Sequence, residues 1–294
     1  MLPIPKWEPG NEPNPETSYQ NLTQIKAAMR EFFNLYGAAF WKGDRFQNYI
    51  LSKLAELYNG NYQNLMVLCP PRSGKTAFAE LFMAFYIKNN PTKKVFYTAY
   101  DRLWASEVVQ HTIMKLQQPG IDLTLEGDTA YGQKNRLTNG CLLVPLGVGG
   151  PITGYGIDLG VIDDPLKNAE EAFMPHYQKG HALWYDTTFK THLMPNGRGL
   201  FFTSRFHKND LAGKILSNKT ERAKWEVATI PALGNSLRSL DPLGRNYGES
   251  YDEEAFNQGQ LLLTKANLGD YFWNARCQQQ IIEYDDALFI NNFK

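Results

Sequence analysis

The chain has 294 residues, 43% of them apolar, and its thirty basic side chains balance thirty acidic ones. That length supports one sizeable α/β core with a small appended subdomain, and a neutral balance excludes the strong positive field of a constitutive nucleic-acid binder. No apolar run approaches the roughly 18 residues of a membrane span, the start lacks a signal-peptide core, and Cys69, Cys141 and Cys277 have neither disulfide nor zinc spacing, so a reducing cytosol is the expected setting.

Residues 1–18 carry prolines at 3, 5, 9, 13 and 15 and read as an extended arm, with its boundary near residue 20. Leu22, Ile25, Met29, Phe32 and Phe33 then recur at helical spacing over Asn21 to Tyr36, and residues 43–59 form another helix. Leu65 to Thr76 is the most informative stretch. An apolar strand, Leu65-Met66-Val67-Leu68, runs into Cys69-Pro70-Pro71-Arg72-Ser73-Gly74-Lys75-Thr76, and Ala77 to Ile87 follows with only Glu80 charged. This is a phosphate-binding loop between a buried strand and a buried helix. Its amides from Arg72 to Thr76 are expected to wrap an anionic phosphate, Lys75 to reach the β- and γ-phosphates, and the Thr76 hydroxyl to ligate Mg²⁺. Cys69 stands where the usual pattern has its first glycine, so the loop is a variant form.

Val95 to Ala99 is a further strand candidate, read as interposed between the loop and the next acidic motif. That motif is Leu159-Gly160-Val161-Ile162-Asp163-Asp164-Pro165, an apolar run ending in two acids. Asp163 is expected to hold Mg²⁺ and Asp164 to orient the attacking water at the γ-phosphate. A strand at Gly199 to Phe202 leads to Thr203 and Ser204, and Lys224 to Ile230 adds another. Between Arg205 and Lys224 six bases face two acids, a local net of +4 (6 − 2). His176, His181 and Trp184 read as packing or surface residues, and 234–260, with Gly234, Gly244, Gly248 and several acids, as an exposed excursion. The division expected is an arm over 1–20, an ATPase core over 21–233, and a C-terminal subdomain and linker over 234–294. The fold class is α/β, a P-loop NTPase with a mainly parallel central sheet flanked by helices, in the additional-strand motor class.

From about Gly43 onward the chain resembles the ATPase domain of the large terminase subunit of tailed bacteriophages. The resemblance rests on the loop at 70–75, on Gly149 to Asp158 leading into Asp163-Asp164-Pro165, on Asn168 to Ala172, on Thr203 to Gly213, and on Phe272 to Gln279. It implies ATP and Mg²⁺ as cofactors, bound by Phe46, Gln47, Pro71, Arg72, Ser73, Gly74, Lys75 and Thr76. Gln47 would contact adenine, Arg72 would sense the γ-phosphate, and Thr203 and Ser204 would couple hydrolysis to DNA movement. Relatives place a trans-acting arginine in the loop before the acidic strand. Here Thr153-Gly154-Tyr155-Gly156 has none, which leaves Arg136, Arg102, Arg205 or another polypeptide.

The partners implied are double-stranded DNA, a portal protein, a small terminase subunit and a nuclease domain encoded separately or excised. A homo-oligomeric ring, a pentamer, is implied on the portal, a monomer in isolation, and a place in the host cytoplasm without membrane contact. Asp252, Glu253 and Glu254 read as solvated charge rather than a metal cluster, so no DNA cleavage is expected. A helicase-related translocase and a nucleotide-binding scaffold without turnover are the competing readings.

Overall fold

The computed structural model describes residues 15–37, 40–125, 134–152 and 154–282. Of the arm expected over 1–20, residues 1–14 lie outside the described residues, as do Thr153 and residues 283–294, while 15–20 are helical rather than extended.

Ten helices are described in chain order: α1 (Pro15–Tyr36), α2 (Arg45–Asn59), α3 (Lys75–Asn89), α4 (Arg102–Leu116), α5 (Ala169–Phe173), α6 (Pro175–Trp184), α7 (Lys190–His192), α8 (Leu211–Ser217), α9 (Lys219–Arg222) and α10 (Gln258–Phe272). The strands are β1 (Asn64–Leu68), β2 (Lys94–Ala99), β3 (Asn135–Arg136), β4 (Leu142–Gly147), β5 (Ile157–Asp163), β6 (Leu193–Thr203) and β7 (Trp225–Thr229). They form one sheet in the order β3-β4-β2-β5-β6-β1-β7, parallel throughout except for β3 against β4.

Both faces of this sheet are covered, and the pleat distributes the side chains between them. Leu65 and Val67, Val95 and Tyr97, Leu159 and Val161, and Leu200 and Phe202 join the core under α1 to α4. Met66, Leu68, Phe96, Ile162 and Phe201 face the opposite core with Trp184, Phe189 and Leu211. A strand buried on both sides has no polar face, which is why these segments read as continuous apolar runs. Helix α3 is likewise apolar nearly all round, and its buried Glu80 is met by Lys115 and His111 of α4.

The register sets the edge where chemistry can occur. Leu68 lies level with Thr203 of β6 and Thr229 of β7, and Asp163 lies level with Phe202. The carboxyl ends of β1, β5 and β6 therefore stand abreast, the usual place for a ligand crevice in an open α/β sheet.

Four expectations change. The strand interposed in space between the loop strand and the acidic strand is β6, whereas β2, carrying Val95–Ala99, lies on the far side of β5. Helix α1 begins at Pro15 rather than Asn21. Strand β4 was not foreseen; Pro145 is tolerated there because the β3 partner ends at Leu143, so no donor is demanded beyond it. The segment 234–260 is no exposed excursion, since Leu243 and Tyr251 enter the main core and Arg245 is completely buried. Its guanidinium is met by Asp241 at 2.9 and 3.1 Å and by the carbonyls of Pro231 and Ala232. Leu261, Trp273 and Cys277 join the same core.

Candidate active site

Where β1 ends, the Cys69 amide donates to the Thr203 carbonyl at 3.3 Å and ties the loop's start to β6. The Cys69 side chain is buried, and Ser73 Oγ donates to its sulfur at 3.2 Å, so the cysteine at the variant position closes the loop from inside. Burial pushes this thiol up to about 11, which keeps it protonated. Arg72 (φ 64°) and Gly74 (φ 80°) both take left-handed conformations, a sequence that curls successive amides into an anion-binding concavity at the start of α3. Glycine is required at 74. A β-carbon there would lie 2.1 Å from the Phe40 ring.

Lys75 is buried, and its Nζ donates to Ser204 Oγ at 2.9 Å and the Pro70 carbonyl at 3.3 Å, and sits 3.2 Å from Asp164 Oδ2. Burial works against its charge, but Asp164 and Asp163 more than offset that and hold the ammonium above its ordinary value. Asp164 is reached by the Ser204 amide at 3.0 Å and stays partly exposed, with φ at 37°. A non-glycine residue held there is strained by about 1–3 kcal/mol, a cost that concentrates at functional positions.

Asp163 is buried, and its Oδ2 accepts from Thr76 Oγ1 and Tyr97 OH, both at 2.7 Å. Its Oδ1 is buried without a partner. Burial first, and Asp164 second, raise its carboxyl to about 6, while the two hydroxyls pull it down. An orphaned buried carboxylate oxygen beside a threonine hydroxyl is a set of hard oxygen donors that fits Mg²⁺.

The structure thus brings together Lys75, Thr76, Asp163, Asp164 and Ser204, while Thr203 donates its hydroxyl to the Ser204 carbonyl at 3.2 Å. Arg72 is exposed and leans over the Phe256 ring at 5.9 Å, and Pro71 is half-buried on the loop's rim. Phe46 and Gln47 lie in the first turn of α2. The Phe46 ring is buried edge-on to Phe78 and Tyr251. Gln47 accepts from the amides of Lys42 and Gly43 at 2.7 and 2.8 Å and donates to the Phe40 carbonyl at 2.8 Å, so its amide pins the 40–43 turn beside the loop.

Of the arginines open as substitutes for a trans-acting one, Arg205 is buried and its Nε donates to both Asp210 oxygens at 3.0 Å. Arg136 and Arg102 sit exposed in β3 and at the start of α4. The basic stretch at 205–224 shrinks as well. Lys224 pairs with Glu221 and Arg222 donates to the Trp225 carbonyl, though both remain exposed, as do Lys208, Lys214 and Lys219. Tyr97 was missed from sequence; a phenol in a strand buried on both faces demands a partner, and that rule would have flagged it. Among the described residues no group of three His, Cys, Asp or Glu side chains could hold a metal, and no helix is long and apolar enough to cross a membrane.

No protein-family profile and no curated protein matches the sequence. Solved structures do. The ATPase domain of the Thermus phage P74-26 large terminase aligns with a TM-score of 0.55 at 11% identity, over 86% of this chain and 98% of that domain. A mutant of the same domain gives 0.54 over the same shares, and the HK97 bacteriophage large terminase gives 0.55 at 12% identity, over 82% of this chain and 51% of that one. At such identities the likeness establishes the fold, which is that of phage large-terminase ATPase domains.

Proposed function

We propose that this chain is an ATP-hydrolysing motor that moves double-stranded DNA into a phage procapsid. The observation that carries the chemical part is the convergence of Lys75, Asp164 and Ser204 at the carboxyl edge of three adjacent strands. The loop amides and Lys75 would hold the β- and γ-phosphates of ATP, with the base toward the turn that Gln47 pins and Arg72 toward the γ-phosphate. Asp164 would orient a water and take its proton as the water oxygen bonds to the γ-phosphorus. The bond from phosphorus to the bridging oxygen breaks in line, and its electron pair stays on ADP. Thr76 and Asp163 would hold Mg²⁺, which when bound draws charge from the phosphate oxygens. Ser204 touches both Lys75 and Asp164 and follows β6, which supports the reading that it would pass a change at the γ-phosphate into the sheet.

The likeness in fold, with Lys208, Lys214 and Lys219 exposed after β6, supports DNA as the track, a portal protein and small terminase subunit as partners, and a ring as the working assembly. The competing readings, a helicase-related translocase and a scaffold without turnover, draw on the same loop; the paired acids speak against the scaffold. Cleavage is assigned to another domain, because Glu254 pairs with Lys42 at 2.8 Å, Glu253 accepts from the Ser250 amide, and Asp252 from that of Ala255. ATP hydrolysis measured with and without double-stranded DNA tests the reading. Mg²⁺-dependent turnover that rises with DNA supports it, and no turnover under either condition sinks it; supercoiled plasmid incubated alongside should stay un-nicked.

A further inference from the structure

Close to the segment that ends β6 stands an arginine with no ionic partner among the described residues. Residues Trp273 to Cys277 form a π-helical turn that carries Arg276. Its Nε is buried and makes no hydrogen bond, and its guanidinium carbon sits over the Phe206 ring, 4.2 Å from the centroid, two residues beyond Ser204. Burial pulls the cation down while the carboxylate of Asp164 holds it up, so the two charges act on each other. Arg276 is half-buried, and a partly desolvated cation without a paired carboxylate costs free energy unless something else answers the charge.

The turn is anchored on both sides. The Gln278 side chain accepts from the Leu233 amide at 3.0 Å and donates to the Leu233 carbonyl at 3.2 Å. Gln279 accepts from the Arg205 amide at 3.3 Å. The Ala232 amide donates to the Cys277 carbonyl at 2.8 Å, just past the residue, Ile230, that extends β7 along the end of β1. Arg276 is therefore fixed by the same segment, 204–206, that holds Asp164. Isolated π turns inside helices recur at functional sites, where the extra residue re-aims a side chain.

We infer that Arg276 acts in cis as the arginine that stabilises negative charge on the transferred phosphoryl group, the part for which the 154–156 loop has no residue. The inference rests on the ATPase reading above. A planar fork matches phosphate oxygens, and phosphoryl transfer takes most of its catalysis from such fixed cations. Because the arginine belongs to the same chain as the loop, activity is proportional to protein concentration, with no dependence on a neighbour.

The test uses the full chain with Arg276→Gln and Arg276→Lys. Arg276→Gln keeps a polar stem over Phe206, and ADP binding with thermal melting reports whether it folds. The expected result is a kcat about a hundredfold lower or more, ADP affinity within about threefold of the parent, and partial recovery in Arg276→Lys. Mixing Arg276→Gln with Lys75→Ala, whose Arg276 is intact, restores nothing if the arginine works in cis. Parental kcat in Arg276→Gln overturns the inference, and recovery on mixing overturns its cis placement. A parent that binds and hydrolyses ATP while Arg276→Gln does the same leaves the ATPase reading standing alone; a parent that binds no nucleotide removes both.

Discussion

Lys75 and Asp164 touch each other at 3.2 Å, yet their loss should give different proteins. Lys75→Ala removes the buried cation of the loop, so both ATP affinity and turnover should fall, turnover by about a hundredfold or more. Asp164→Asn leaves Thr76 and Asp163 in place, so equilibrium binding of ATP should persist while hydrolysis stops. Hydrolysis at the parental rate in Asp164→Asn would move the water-orienting part to Glu170 or Glu171. A second residue-scale prediction concerns His181, buried in α6 and pushed down to about 4 by that burial. Its folded value lies below the unfolded one of about 6.5, so the unfolded chain binds the extra proton between those limits. The stability it contributes is complete above pH 6.5 and is lost as pH falls toward 4, about 2 kcal/mol between pH 7 and 5. Urea melts at both pH values should show a smaller loss in His181→Gln than in the parent; equal losses would place the titration elsewhere.

At the scale of elements, what could be read beforehand was what ends a strand. Lys75, Thr76, Asp163, Asp164 and Ser204 each follow an apolar run, so motif and strand reinforce one another. What could not be read depends on neighbours that chain order does not give. Strand β6 was seen as a short segment near Ser204, but its position between β1 and β5 is a fact of space. Tyr97 and Arg276 reach the site from a strand beyond β5 and from a turn after α10, and Phe40 covers Gly74 through a contact across 34 residues (74 − 40). The glycine of β5 gives a test of such packing. A β-carbon at Gly160 would lie 2.7 Å from the Phe189 ring, in the π-helical turn Tyr185–Phe189. Gly160→Ala should cost about 1–3 kcal/mol, and Phe189→Leu in the same chain should return part of it. Additive losses in the double variant would mean that the two do not share that space.

For the whole molecule, the residues after 233 decide how far the chain can be trimmed. Tyr251 packs edge-on to Phe46 and stacks with Phe256, which in turn lies under Arg72 of the phosphate loop. A chain ending at 233 should therefore lose cooperative melting, whereas one ending at 282 should keep it, as calorimetry of the two would decide. Two equally sharp transitions would make the C-terminal part dispensable. The sheet order carries a further consequence for synthesis. Strand β1 ends at Leu68, but both of its partners, β6 and β7, begin only at Leu193 and Trp225. While a ribosome is still extending the chain, Asn64–Leu68 thus waits as an apolar strand with both edges bare, the kind of segment on which nascent chains stick to one another. The phosphate loop can be set only after Trp225–Thr229 has emerged, so a product terminated before that strand is both inactive and prone to aggregate.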